Sequence, residues 1–213
     1  MDKIIVIGGG GHAKVIISIL KKLRAYEILG YVEKDNKGAI LGVPYIGDDH
    51  DLKKFIETKK VTQAVLGVGH IADYTRRVEL YQQMTALGYA FPKIVSPHAI
   101  INEAVEIGDG TVVMDGVVVN SGAKIGKCCI LNTRSSVDHD CEIADFVHLA
   151  PGAMLSGGVN VGSYTFIGAH ATVINYKKIA QKCIIGAGAV VVQDCLESGT
   201  YVGVPARQVK VKR

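Results

Sequence analysis

The run Ile125-Gly126-Lys127-Cys128-Cys129-Ile130-Leu131-Asn132-Thr133-Arg134-Ser135-Ser136-Val137-Asp138-His139-Asp140-Cys141-Glu142-Ile143 repeats every six residues. Ile125, Leu131, Val137 and Ile143 are large and aliphatic. Cys129, Ser135 and Cys141, four residues after the first three of these, are small. Outward in both directions the phase holds from Ile101 through Ile107, Val113 and Val119, and on through Leu149, Leu155, Val161, Ile167, Val173, Ile179 and Ile185 to Val191. Ile, Leu and Val make up 62 of the 213 residues. Sixteen successive hits therefore have a chance probability on the order of one in 10⁸. The small position is interrupted once, by Lys177.

One large and one small residue per hexapeptide is the pattern of a left-handed parallel β-helix. Each hexapeptide supplies one short strand on one face of a triangular prism, and eighteen residues close a coil. Fifteen steps give five coils, about 24 Å tall at the ~4.8 Å spacing of paired strands. The same phase turns Cys129, Cys141 and Cys183 into small inward residues. It places His139 one coil from Gly157.

Before the repeat the period differs. Ile4–Ile7 reads as a strand ending in Gly8-Gly9-Gly10-Gly11, and Ala13–Leu23 as a helix with Val15, Ile16, Ile19, Leu20 and Leu23 on one face. Ile28–Val32 and Gln63–Leu66 read as further strands, Leu52–Glu57 and Arg76–Leu87 as helices, and Phe91–Ile94 as the close of the unit. This alternation predicts a small Rossmann-like parallel α/β sheet. The expected domains are 1–94, 95–193 for the β-helix, and 194–213 as a C-terminal tail whose end, Val209-Lys210-Val211-Lys212-Arg213, is solvated.

Composition narrows the function classes. A net charge of +4 from 24 basic and 20 acidic residues, scattered along the chain, lacks the basic stripe of a nucleic-acid surface. No apolar stretch approaches the ~18–20 residues of a membrane span, and the Met-Asp-Lys start runs into a strand without a leader. Five cysteines, without a C-x-x-C pair, fit a reducing cytoplasm. A metal site on this fold needs three converging histidines. His139, His148 and His170 lie 9 and 22 residues apart, so no metal is expected, and His98 and His170 read as surface residues.

Gly8-Gly9-Gly10-Gly11-His12-Ala13 satisfies the G-x-G-x-x-A fingerprint, with Glu33 closing the second strand. Taken alone this suits a dinucleotide. The physics specifies only an anion at a helix N-terminus, and a unit of about 94 residues lacks the second mononucleotide half. A nucleotide-sugar pyrophosphate fits as well, on Gly10, Gly11 and His12. Glu33, Lys34 and Gly69 would then lie near its ribose or base.

The repeats, the Asn132–Cys141 segment, Tyr201-Val202-Gly203-Val204-Pro205-Ala206 and the Gly-Gly-Gly-Gly-His-Ala-Lys start together resemble the NeuD/PglD group of bacterial sugar acetyltransferases. The resemblance spans essentially the whole chain. It implies acetyl-CoA as co-substrate and N-acetylation of a nucleotide-linked 4-amino-4,6-dideoxy sugar, with UDP the expected carrier; the alternative is O-acetylation of sialic acid or a related sugar. A homotrimer is expected from the site itself, since an acyl-CoA lying along one flat face of the prism needs a neighbouring face to enclose it. The resemblance also implies His139 as general base with Asp140 as its acidic neighbour, where the family more often has Glu. His148, Gly157, Ala169 and Ala187 match its acetyl-CoA contacts. Histidine is chemically suited to that role, since an imidazole with pKa near 6.5 accepts a proton at neutral pH and a carboxylate on the ring fixes its tautomer. The Gly157 N–H is the expected oxyanion donor. A non-catalytic reading, a nucleotide-sensing domain on a trimerising stalk, gives the His139–Asp140 pair nothing to do.

Overall fold

The computed structural model describes residues 1–209; the end of the expected solvated tail, residues 210–213, lies outside them. The chain divides into two compact units. The first comprises Met1–Gly69 and Asp73–Pro97, and the second comprises His70–Ala72 and the chain from His98.

In the first unit, β1 (Asp2–Ile7), α1 (Gly11–Leu23), β2 (Tyr26–Val32), β3 (Tyr45–Gly47), α2 (Leu52–Lys59), β4 (Gln63–Leu66) and α3 (Thr75–Ala86) follow in order. The strands pair in the order β3-β2-β1-β4, all parallel. Ile4, Ile5, Val6 and Ile7 of β1 are all buried, as a central parallel strand covered on both faces requires. Ile16, Ile17, Ile19 and Leu20 of α1 are buried with them. Strand order reverses between β1 and β4, so their carboxyl ends open the crevice where ligands of such sheets bind. β3 was not expected from sequence. It is three residues long and follows Pro44, too short to show a period.

The second unit is a left-handed parallel β-helix. All sixteen aliphatic residues of the hexapeptide phase, Ile101 to Val191, are the second residue of a two-residue strand. Each of the first thirteen strands pairs in parallel with the strand eighteen residues on, as Ser136–Val137 does with Met154–Leu155. Inward aliphatic side chains from Val113 to Val191 are buried, each worth about 1.5–3 kcal/mol. The small positions lie at the corners. There Thr111 and Thr165 donate to the carbonyls of Gly126 and Ala180, fifteen residues on, and the Cys129 and Cys141 thiols point to those of Ala144 and Ser156. Cys195 also sits at a small position, and burial pushes its thiol up to about 11.

The three faces differ outward. One face presents Ile100, Val118, Ser136, Met154, Thr172 and Val190, without a charge. The next presents Glu106, Lys124, Glu142, Asn160 and Lys178. The third presents Val112, Ile130, His148, Phe166 and Ile184.

The stretch from residue 194, expected to be a tail, instead continues the fold as far as it is described. Thr200–Val202 pairs in parallel with Ile184–Ile185, and Arg207–Val209 returns antiparallel beside it. Cys195 bridges to Ile179. Gly203 and Ala206 exchange backbone hydrogen bonds with Val190. The hexapeptide phase is lost after Val191, which hides these strands from a period search.

Candidate functional sites

The first unit brings four of its expected residues together. Gly8 leaves β1 with φ +109, and a Cβ there would lie 2.9 Å from Val68 Cγ2, so only glycine makes the turn. Gly10 caps α1 with no side-chain bond and no acidic residue in the first turn. Gly10 and Gly11 have nothing within 4 Å of a built Cβ. A ligand therefore has room beside the helix N-terminus, where the dipole favours an anion. Gly69 lies beside the His12 ring, 3.8 Å from a built Cβ.

Glu33 has a different engagement from a free ribose ligand. Its Oε2 accepts the Gly9 N–H at 2.9 Å and its Oε1 accepts the Lys34 N–H at 3.0 Å. Burial works to raise its pKa. The two backbone donors and Lys37 outweigh that and hold it below the usual carboxylate range. Glu33 thus ties the glycine loop to the end of β2, while the Lys34 side chain is exposed. Arg77, only 1% exposed, donates to the carbonyls of Leu66 and Val68 and so holds the loop after β4. In sequence Arg77 looks like an ordinary polar residue of α3.

In the second unit the expected residues fall on two edges of the uncharged face. His139, Asp140 and Gly157 share the edge that follows its strands. His139 Nδ1 lies 2.9 Å from Asp140 Oδ2, so the shorter aspartate reaches the ring. With Nδ1 bonded to a carboxylate, the ring carries its proton there and leaves Nε2 as the basic nitrogen. The Asp140 bond, foremost, and the charges of Asp138 and Asp140 raise the His139 pKa above 6.5, against a smaller desolvation effect. The Nε2 end of the ring lies against Gly157, and a Cβ built there would be 2.4 Å from Nε2. The Gly158 N–H donates to the His139 carbonyl at 2.8 Å, locking the two coils together at this corner.

Ala169 and Ala187 stack on the other edge of the same face, joined through the Gly188 N–H to the Ala169 carbonyl at 2.8 Å. His148 lies next to that edge. It is 7% exposed, and both ring nitrogens are engaged. Nδ1 is 2.6 Å from the His70 carbonyl, so it carries the proton, and Nε2 faces Asn132 Nδ2 at 3.3 Å. His148 is therefore a ring held in one orientation, packed edge-on against His70 and Phe166. His170 is exposed at the same edge. A groove of about 530 Å³ runs along the charged face instead and contains none of these residues. Among the described residues no three His, Cys, Asp or Glu side chains group to hold a metal, and no helix is long and apolar enough to cross a membrane.

Sequence reasoning missed Asp138, Asn120 and Asn132. Asp138 Oδ1 accepts from Asn120 Nδ2 and from the His139 N–H, both at 2.8 Å. Reading the repeat in columns of eighteen would have placed Asn120 beneath Asp138.

The PglD N-terminal domain family matches residues 3–84. GDP-perosamine N-acetyltransferase of Escherichia coli O157:H7 is 33% identical over 183 residues, covering 84% of this chain and 72% of that protein. A mutant of perosamine N-acetyltransferase from Caulobacter crescentus, solved with CoA and GDP-perosamine, superposes with a TM-score of 0.93 at 35% identity, over 99% of this chain and 98% of that one. The acetyltransferase domain of PglB from Neisseria gonorrhoeae, solved with acetyl coenzyme A, gives 0.90 at 33% identity, over 97% and 98%. With a glycine loop at one site and a histidine–aspartate corner on hexapeptide coils at the other, the chain belongs to the PglD/NeuD-like family of hexapeptide acetyltransferases.

Proposed function

We propose that this protein moves the acetyl group of acetyl-CoA onto the amine of a nucleotide-linked 4-amino sugar, with His139 as general base. The observation that carries the reading is the His139–Asp140 pair lying on Gly157. The amine nitrogen attacks the thioester carbonyl and the C–N bond forms. The amine proton passes to His139 Nε2, the C–S bond breaks, and the proton leaves on the CoA thiol. Asp140 keeps the ring in the tautomer that accepts at Nε2 and stabilises the imidazolium. The Gly157 N–H, which donates to no group among the described residues, is the donor for the oxyanion. Both substrates can be held at once, so no acyl-enzyme is required.

The acceptor is read from the first unit and from the relatives. Gly10, Gly11 and His12 would take the pyrophosphate. Glu33, fixed on Gly9, shapes the loop, and Lys34 and Gly69 flank the ribose and base. UDP is the carrier expected from sequence, but the Escherichia coli and Caulobacter relatives are named for GDP-perosamine. That moves our choice to a GDP-linked amino sugar. Turnover is to be compared, by free-thiol release from acetyl-CoA, on GDP- and UDP-linked 4-amino sugars and on free sialic acid. GDP-perosamine should have the highest kcat/KM; equal or better turnover of sialic acid would overturn N-acetylation.

The site is read as trimeric. The His139 corner and the Ala169–Ala187 corner flank the face of Val118, Ser136 and Thr172, on which Ile100 and Met154 are 57% and 49% exposed. Three copies packed on that face about a three-fold axis would set one chain's His139 corner beside the next chain's Ala169–Ala187 corner. The groove between them would hold acetyl-CoA. Light scattering should give the mass of three chains, and Met154→Arg should lower both that mass and the turnover; a fully active monomer would refute the shared groove.

A further inference from the structure

The His139 corner carries a ladder that none of the roles above uses. Asn102, Asn120 and Asp138 occupy the same position of three successive coils, each directly after an inward aliphatic residue. Asn102 Nδ2 donates to Asn120 Oδ1 at 2.7 Å, and Asn120 Nδ2 donates to Asp138 Oδ1 at 2.8 Å. The same Asp138 oxygen accepts the His139 N–H at 2.8 Å. Both amides point their donors toward the carboxylate, so the two dipoles polarise one another in the sense that favours its negative charge.

The ladder reaches the coil that bears His139 and loses its character there. The next residues in the column are Ser156 and Ile174, neither an amide nor a carboxylate. The Asn120 bond, first, and the His139 N–H hold the Asp138 carboxyl below the usual carboxylate range, so it is ionised wherever the enzyme works. Its charge stands one residue from the imidazole and favours the imidazolium, in addition to the Asp140 bond. The turns Asn120-Ser121-Gly122 and Ser156-Gly157-Gly158, directly on either side of the His139 coil, hold no titratable side chain; two coils away the corner carries Glu103 on one side, and Tyr176, whose ring lies over Gly158, with Lys177 on the other.

We infer that Asn120 is a positioning residue for acetyl transfer: it locks Asp138 as a second, ionised carboxylate at His139, and so strengthens that histidine as a base. The inference rests on His139 being the general base. An aliphatic residue at position 120 would leave Asp138 held by the His139 N–H alone, so that it turns more readily to solvent, where its field at the ring is screened.

The test uses the full chain with Asn120→Leu, which keeps the volume and removes the donors, together with Asp138→Asn and Asn102→Leu. The His139 ring is titrated by NMR, its signal assigned by loss in His139→Gln. The pH profile of kcat/KM is recorded on the same proteins with acetyl-CoA and GDP-perosamine. In Asn120→Leu and Asp138→Asn both the ring titration and the acid limb of the profile should move to lower pH. Asn102→Leu, one rung removed, should move them less. Plateau kcat should fall about three- to tenfold, because a weaker base transfers the proton less readily, with the KM for acetyl-CoA unchanged. Asp138→Asn preserves the side-chain shape and carries the test if Asn120→Leu does not fold.

A His139 titration identical to wild type in both variants would overturn the inference. The NMR arm needs no turnover, so an inactive wild-type protein whose ring still responds to Asn120 would sink the acetyl-transfer reading alone. A ring that shifts while every variant turns over at the wild-type rate would strip the ladder of its catalytic role.

Discussion

With His139 replaced by alanine, acetyl transfer should fall by about 10²–10⁴-fold, the range that removal of a general base produces, while the protein stays folded. The side chain is 47% exposed and rests on a glycine at a corner, so its loss opens no cavity in the prism. Thermal unfolding should therefore shift little, and KM for acetyl-CoA should stay near wild type. The wild-type pH profile provides the complementary check. Asp140, foremost, raises the His139 pKa above 6.5. The neutral ring is the working form, so activity is full above that raised pKa and is lost as pH falls through it. The acid limb of kcat/KM should thus lie higher than an ordinary histidine would give. A profile flat down to pH 5 would remove His139 from the proton transfer.

Gly157→Ala should be nearly as damaging, through geometry alone. The new methyl would meet His139 Nε2 at 2.4 Å and Cε1 at 2.6 Å. Gly157 does not need a left-handed backbone, so alanine itself is tolerated there. What must give is the imidazole, an exposed side-chain end that can swing away. The expected result is a protein with near-native stability whose kcat is lower by about 10²-fold, the cost of misplacing a catalytic group by roughly 1 Å. Circular dichroism and melting confirm the fold, and turnover reads the effect. An alanine variant at wild-type kcat would show that the ring need not lie on Gly157.

The β-helix was legible because its signal is redundant. Each of sixteen inward residues repeats the same demand, and each became the second residue of a strand. β1, α1, β2 and β4 were legible for a related reason, since buried runs and one-sided helices announce themselves. β3 and the strands at Thr200–Val202 and Arg207–Val209 are short and out of phase, so nothing local distinguishes them from loop. Within the sites, His139, Asp140 and Gly157 could be brought together by counting eighteen. Glu33 could be placed at the loop but not on the Gly9 N–H, because that bond depends on where β2 ends relative to β1. His148 has the same limit: its partners, His70 and Asn132, are 78 and 16 residues away.

The hairpin that follows the last coil has a consequence for behaviour at high concentration. A stack of parallel rungs leaves an open edge of backbone donors and acceptors, onto which another molecule's rungs could add without limit. Here the last described strand on one side, Arg207–Val209, runs backward, which breaks the eighteen-residue parallel register that a further rung would continue. Gly203 and Ala206 already occupy the Val190 backbone on a second side, and Cys195 pairs with Ile179 on the third. Each edge of the prism is closed by a different device. Deleting the chain from residue 194 would expose all three, and fibril-like aggregation, rather than simple loss of turnover, would be its signature.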